Sequence, residues 1–142
     1  MEKKTFTNSL KLNSSPDRVW KIVTDPVLIR EWASAFGHGT HAESSWEVGS
    51  VVKWKDMGGN IGAKGIISKK EPEKELRVDF FDDVKMTDPA QIGEYSEIYT
   101  IESDGDTTTL TVTTGPLDEK YINGFVPMWE KAFTYIKKLA EK

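Results

Sequence analysis

Between Leu117 and Lys142 a set of apolar residues falls at Ile122, Phe125, Trp129, Ala132, Phe133, Ile136, Leu139 and Ala140. Steps of three and four place them all on one stripe of a long helix. Glu119, Lys120, Glu130, Lys131, Lys137, Lys138 and Glu141 take the opposite face. A lone helix cannot bury the rings of Phe125, Trp129 and Phe133, so this rod needs a broad apolar surface to lie on. Pro127 falls inside the stretch, where it removes a hydrogen bond to Asn123 and should kink the rod. The rest of the chain has to supply the missing surface.

Taken in order, Phe6, Asn8, Leu10 and Leu12 alternate with Lys3, Thr5, Thr7, Ser9 and Lys11, which reads as an opening strand at a sheet edge. Ser15-Pro16-Asp17 then marks a helix start, with Ser15 as N-cap and Pro16 at the first helical position. Val19, Trp20, Ile22 and Val23 are its apolar face; Thr24-Asp25-Pro26 breaks it and opens a second helix, Val27 to Trp32, ending near Phe36-Gly37. Strands follow at Val51 to Lys55, Ile61 to Lys69 and Leu76 to Phe81, joined by turns at Met57-Gly58-Gly59-Asn60 and Glu71-Pro72-Glu73-Lys74. Asp82 to Gly93 has no period and reads as a functional or mobile loop. Tyr95 to Ser103 and Thr107 to Thr114 form a hairpin closed by Asp104-Gly105-Asp106. The order is one strand, two short helices, five or more antiparallel strands and one long helix, all in one domain spanning 1–142.

That order predicts an α+β protein in which a curved antiparallel sheet offers one face to the C-terminal rod. Alternation selects the inward side chains: Val52 and Trp54, then Leu76, Val78 and Phe80, then Leu110 and Val112. On the strand after Gly93 two registers compete. Turning Tyr99 and Ile101 inward carries Glu97 and Tyr95 with them, whereas Ile98 argues for the opposite face. Where the facing side chains fail to fill the gap, a cavity opens. Its expected lining is Trp32, Phe36, Trp54, Phe80 and Tyr99 on one side and Phe125 and Trp129 on the rod; a solid aromatic core is the other reading of the same rings. Ala63 and Gly65 on the inward face, with Gly124 facing the mouth, are small enough to leave room.

Several function classes are set aside by content. A net charge of −4 gives no electrostatic reason to expect nucleic acid or an anionic membrane surface, and no stretch approaches the length of an apolar membrane span. The absence of cysteine removes disulfide and thiolate chemistry. Alternation, not an apolar run, follows Met1-Glu2-Lys3-Lys4-Thr5, so no secretion signal is expected and the default is a cytoplasmic monomer or small homo-oligomer. His38, His41 and Glu43 fit no zinc spacing, and on a strand only His41 and Glu43 share a face, so they read as solvated side chains and no metal is expected. Gly58-Gly59-Asn60-Ile61-Gly62-Ala63-Lys64-Gly65 lacks the spacing and the Lys-Ser/Thr ending of a phosphate loop and joins two strands. No catalytic motif is present, and no cofactor is expected.

Ser15-Pro16-x-x-Val19-Trp20 with Thr24-Asp25-Pro26 and Trp32, Gly65-x-Ile67 with Glu71-Pro72 and Leu76, Gly105 with Thr108-x-Leu110, and Gly124-Phe125 together resemble the activator-of-heat-shock-chaperone-ATPase homologue family. That family lies within the START, birch-pollen-allergen and polyketide-cyclase (SRPBCC) superfamily. The resemblance implies a helix-grip fold, a sheet curled around the long helix with a cavity between. It also implies a choice of roles: stimulation of a chaperone ATPase, or binding of lipids and hydrophobic small molecules. Phe125 departs from the family, which often has Trp there. The eukaryotic activators also carry a separate N-terminal domain, for which no room is expected within these 142 residues.

The expected function is binding of a hydrophobic or aromatic small molecule or lipid in that cavity, with Asp82–Gly93 and the helix pair gating entry and Pro127 as a lid hinge. A co-chaperone-like interaction module with a chaperone as partner, and a cyclase or hydrolase using Glu97 with Tyr95, Tyr99 or a histidine, are the alternatives. If inward, Tyr95 and Glu97 join the ligand-binding set, and the Glu97 pKa would rise with burial. The rarity of buried glutamate favours placing Glu97 at the rim or outside in solvent.

Overall fold

The computed structural model describes residues 3–141. Strand β1 (Lys3–Leu12) leads into helices α1 (Pro16–Thr24) and α2 (Pro26–Ala33) and a 3-10 turn at Ser34–Phe36. Strands β2 (His41–Glu43), β3 (Val51–Lys55), β4 (Ile61–Glu71), β5 (Glu75–Phe81), β6 (Ile92–Asp104) and β7 (Thr107–Asp118) follow, then helix α3 (Glu119–Ala140). All seven strands form one sheet in the order β1-β7-β6-β5-β4-β3-β2, with every neighbour antiparallel. The opening strand sits at a sheet edge, as its pattern suggested. This is the helix-grip α+β fold.

The short helices form where their caps allow. Ser15 Oγ accepts from the Arg18 N–H at 3.2 Å and Asp25 Oδ1 from the Val27 N–H at 2.9 Å, each just before a proline. Buried Trp32 donates its indole N–H to the Ile22 carbonyl at 2.8 Å, which ties α2 to α1 and aims the ring at the sheet. Register shifts interrupt the ladders between Lys4 and Phe6, Trp54 and Lys55, Ile67 and Lys69, and Asp79 and Phe81. Such bulges bend a sheet, and here the bent sheet presents its hollow side to α3. Ile67, Val78, Tyr99 and Leu110 from the sheet join Trp129, Ala132, Phe133 and Ile136 from the helix in one core.

The rod begins later than its expected bound. Lys142 lies outside the described residues, and Leu117 belongs to β7, not to α3. Lys4 pairs with Leu117 and Lys3 with Asp118, so β1 holds the backbone extended until Glu119. The loop after Phe81 is likewise shorter than expected, because a 3-10 turn at Pro89–Gln91 delivers the chain into β6 at Ile92. Helix α3 continues through Pro127. Its burial is uneven: Trp129 to Ala140 supply the buried stripe, while Ile122 and Phe125 are half-buried.

Gly65 does not open space as its size suggested. A Cβ there would stand 2.6 Å from the Asp79 carbonyl oxygen and 2.9 Å from Val78 Cγ1, so β5 already occupies the room. Gly65→Ala is expected to cost about 1–3 kcal/mol through forced separation of β4 and β5. Denaturant unfolding should show the midpoint falling with an unchanged slope. A wild-type midpoint would mean that the pair yields freely.

Candidate functional site

The sheet and α3 do not meet completely. A cavity of about 230 Å³ remains between them, and every residue expected in the ligand-binding set borders it. Trp32 reaches it from α2, and Phe36 from the turn that follows. Trp54 comes from β3 and Phe80 from β5; Tyr95, Glu97 and Tyr99 are three successive inward positions of β6. Phe125 and Trp129 close it from α3, one helical turn apart. The register with Tyr99 and Ile101 inward is therefore the one adopted, and both are buried.

Trp129 is the hub of the ring cluster. Its ring centroid lies 6.0 Å from Trp32, 4.9 Å from Phe36, 6.2 Å from Tyr99 and 5.9 Å from Phe133. Trp54 packs on Trp32 at 6.2 Å and Tyr95 on Phe80 at 5.2 Å. Tilted and edge-on contacts of this kind fix ring orientations without filling space as a stacked pair would.

Glu97 is not at the rim or in bulk solvent, against the expectation from the rarity of buried glutamate. It is half-buried and part of the cavity wall. Tyr99 donates its hydroxyl to Glu97 Oε1 at 2.8 Å, and Tyr95 makes a longer contact to Oε2 at 3.5 Å. The two hydroxyls stand in for water, which makes the burial tolerable. Burial pushes the Glu97 carboxyl up to about 7, and the hydrogen bonds from Tyr99 and Tyr95 only partly offset it. The Tyr95 and Tyr99 phenols are raised far above their ordinary range, by burial first and by the neighbouring carboxylate second. Among the described residues no lysine, arginine or histidine borders the cavity.

Thr40 and Leu117 also line the wall and escaped the sequence reading. Alternation through Leu110, Val112 and Thr114 points to position 116, not 117. The shift opposite Lys4 and Phe6, at Gly115 with φ +142°, changes the parity of the strand end. Tyr95 and Leu117 also border a second hollow of about 190 Å³ beside Lys3, Asp82, Glu94 and Asp118. Gly124 is exposed, with open space where a Cβ would stand, so it does not shape the wall. The Asp82–Gly93 loop contributes no lining side chain.

The histidines lie elsewhere. His38 is exposed, while His41 Nε2 is 3.7 Å from Glu43 Oε2, and Lys55 Nζ pairs with the other oxygen at 2.9 Å. Among the described residues no three His, Cys, Asp or Glu side chains converge as a metal site would need. No helix among them is long and apolar enough to cross a membrane.

Solved structures of the same shape are numerous. Protein MLL2253 of Mesorhizobium loti is similar with a TM-score of 0.75 at 20% identity, over 96% of this chain and 96% of that one. CalU16 of Micromonospora echinospora is similar with a TM-score of 0.74 at 19% identity, over 97% of this chain and 76% of that one. The Aha1 dimer of Colwellia psychrerythraea gives a TM-score of 0.76 at 14% identity, over 97% and 96%. At such identities the likeness carries the fold and no more. No curated protein matches the chain. A family does: residues 13–141, nearly the whole helix-grip unit, match the one described as "Activator of Hsp90 ATPase homolog 1-like protein", and the chain belongs to that family, within the SRPBCC superfamily.

Proposed function

We propose that the protein binds a hydrophobic, ring-containing small molecule in the cavity between the sheet and α3. The observation that supports this is the cavity itself. It measures about 230 Å³, its wall is mostly aromatic, and the Glu97 carboxylate in it accepts from two hydroxyls. An apolar engineered cavity of about 150 Å³ stays dry and takes up benzene, so this volume suits a molecule of one or two rings. Rings of Trp32, Trp54 and Trp129 supply apolar area, and Glu97 fixes the orientation of a polar end. The domain works as one unit in this reading, with no metal or cofactor called for.

The test uses Ala63, which borders the cavity beside Trp54. Titration with toluene or p-cresol, followed by the indole N–H resonances, should shift Trp54 and Trp129 in the native protein. Ala63→Phe fills the space, and is expected to weaken binding at least about tenfold while the protein stays folded. Equal affinity in both proteins, or no shift in either, would end this reading.

A further inference from the structure

The proposal of a cavity ligand leaves its polar end open, and three features of the wall bear on it. Among the described residues Glu97 takes part in no ion pair and no cationic side chain borders the cavity. Its partners are two neutral hydroxyls, which leave lone pairs on both carboxylate oxygens unused. The surrounding rings expose π faces and edges, and a π face carries partial negative charge.

From this geometry we infer that the ligand is an organic cation, a protonated amine or a quaternary ammonium carrying an apolar or aromatic body. The inference rests on the cavity reading above. A cation supplies the countercharge that the fold withholds from Glu97, and it gains further from the ring faces. An anion is opposed by both. A neutral carbonyl gains nothing from the rings and needs Glu97 in its protonated form.

The two chemistries therefore differ in the sign of their pH dependence. The titratable groups facing Glu97 are Tyr95 and Tyr99 on its own strand. Side chains that reach the cavity from α2, β3, β4, β5, β7 and α3 are apolar or aromatic, and Thr40 adds one hydroxyl. With the Glu97 carboxyl at about 7 in the empty cavity, a fixed cation binds the ionised form and tightens as pH rises. A neutral acceptor does the reverse.

The probes are phenyltrimethylammonium, whose charge does not titrate, and tert-butylbenzene, its uncharged isostere. Calorimetry or indole N–H shifts should show the cation binding roughly tenfold or more tightly at about pH 8.5 than at about pH 5.5, while the isostere changes little. Glu97→Gln should abolish the cation's pH dependence and cut its affinity at the higher pH by roughly tenfold, leaving the isostere unaffected. If tert-butylbenzene binds as well as or better than the cation at the higher pH, the cation assignment is wrong and the cavity reading stands. If neither probe binds, both fail together. The wild-type pH comparison decides the matter even if the variant does not fold.

Discussion

Replacing Trp129 by alanine is expected to remove about 3–5 kcal/mol of folding stability, the largest loss from any single truncation in this chain. The side chain is 2% exposed and touches four other rings, drawn from α2, the turn after it, β6 and α3 itself. It is thus the point where helix, sheet and helix pair are joined. The cost should sit high in the usual range because the new void merges with an existing cavity, and a pair of walls held apart by other rings cannot collapse into it. Trp129→Phe retains a ring and should lose about 1–2 kcal/mol. Denaturant melts followed by circular dichroism measure both. A loss below about 1 kcal/mol for Trp129→Ala would show that α3 is held on the sheet by its last two turns alone, through Ile136 and Leu139.

What could be read from residues in order, and what could not, divides along the range of the interactions involved. The stripe of α3, the caps at Ser15 and Asp25, and the inward faces of Trp54, Phe80 and Val112 depend on spacing of a few residues, and each is where the spacing puts it. That is also why most of the rings around the cavity were legible: parity on β3 and β5 and one helical stripe converge on the same hollow. Strand β6 carries apolar residues on both faces, Ile98 against Tyr99 and Ile101, so its register was open until pairing with β5 and β7 set it. Leu117 was lost to view because a register shift at Gly115 reverses the alternation, and only the pairing with β1 reveals the shift. Gly65 misled for a related reason, since the space beside it belongs to a neighbouring strand. Glu97 is the instructive error. Burial statistics describe an average glutamate, whereas this one brings two tyrosines two positions away on the same face to take the place of water.

That arrangement has a price in stability that pH should expose. A carboxyl at about 7 in the fold, against 4.5 for a solvated glutamate, makes the folded state hold its proton more tightly than the unfolded chain does. Below about pH 4.5 both states are protonated and nothing is lost. As pH rises towards 7 the unfolded chain ionises first, so unfolding becomes progressively easier. Above about 7 both are ionised and the penalty stays constant at roughly 3 kcal/mol. Asp79 titrates in the opposite sense: burial raises its carboxyl, but hydrogen bonds from Ser96 and Arg77 outweigh that and hold it below its ordinary value. Its contribution is therefore lost at acid pH, below the Glu97 window. Glu97→Gln keeps the shape and removes the titration. Its stability should change less than the wild type's between about pH 4.5 and 7, so the two curves diverge by roughly 3 kcal/mol across that window. Parallel curves would mean that Glu97 ionises as easily in the fold as in water. In that case the cavity reaches bulk solvent at the carboxylate, and the two tyrosines do not shield it.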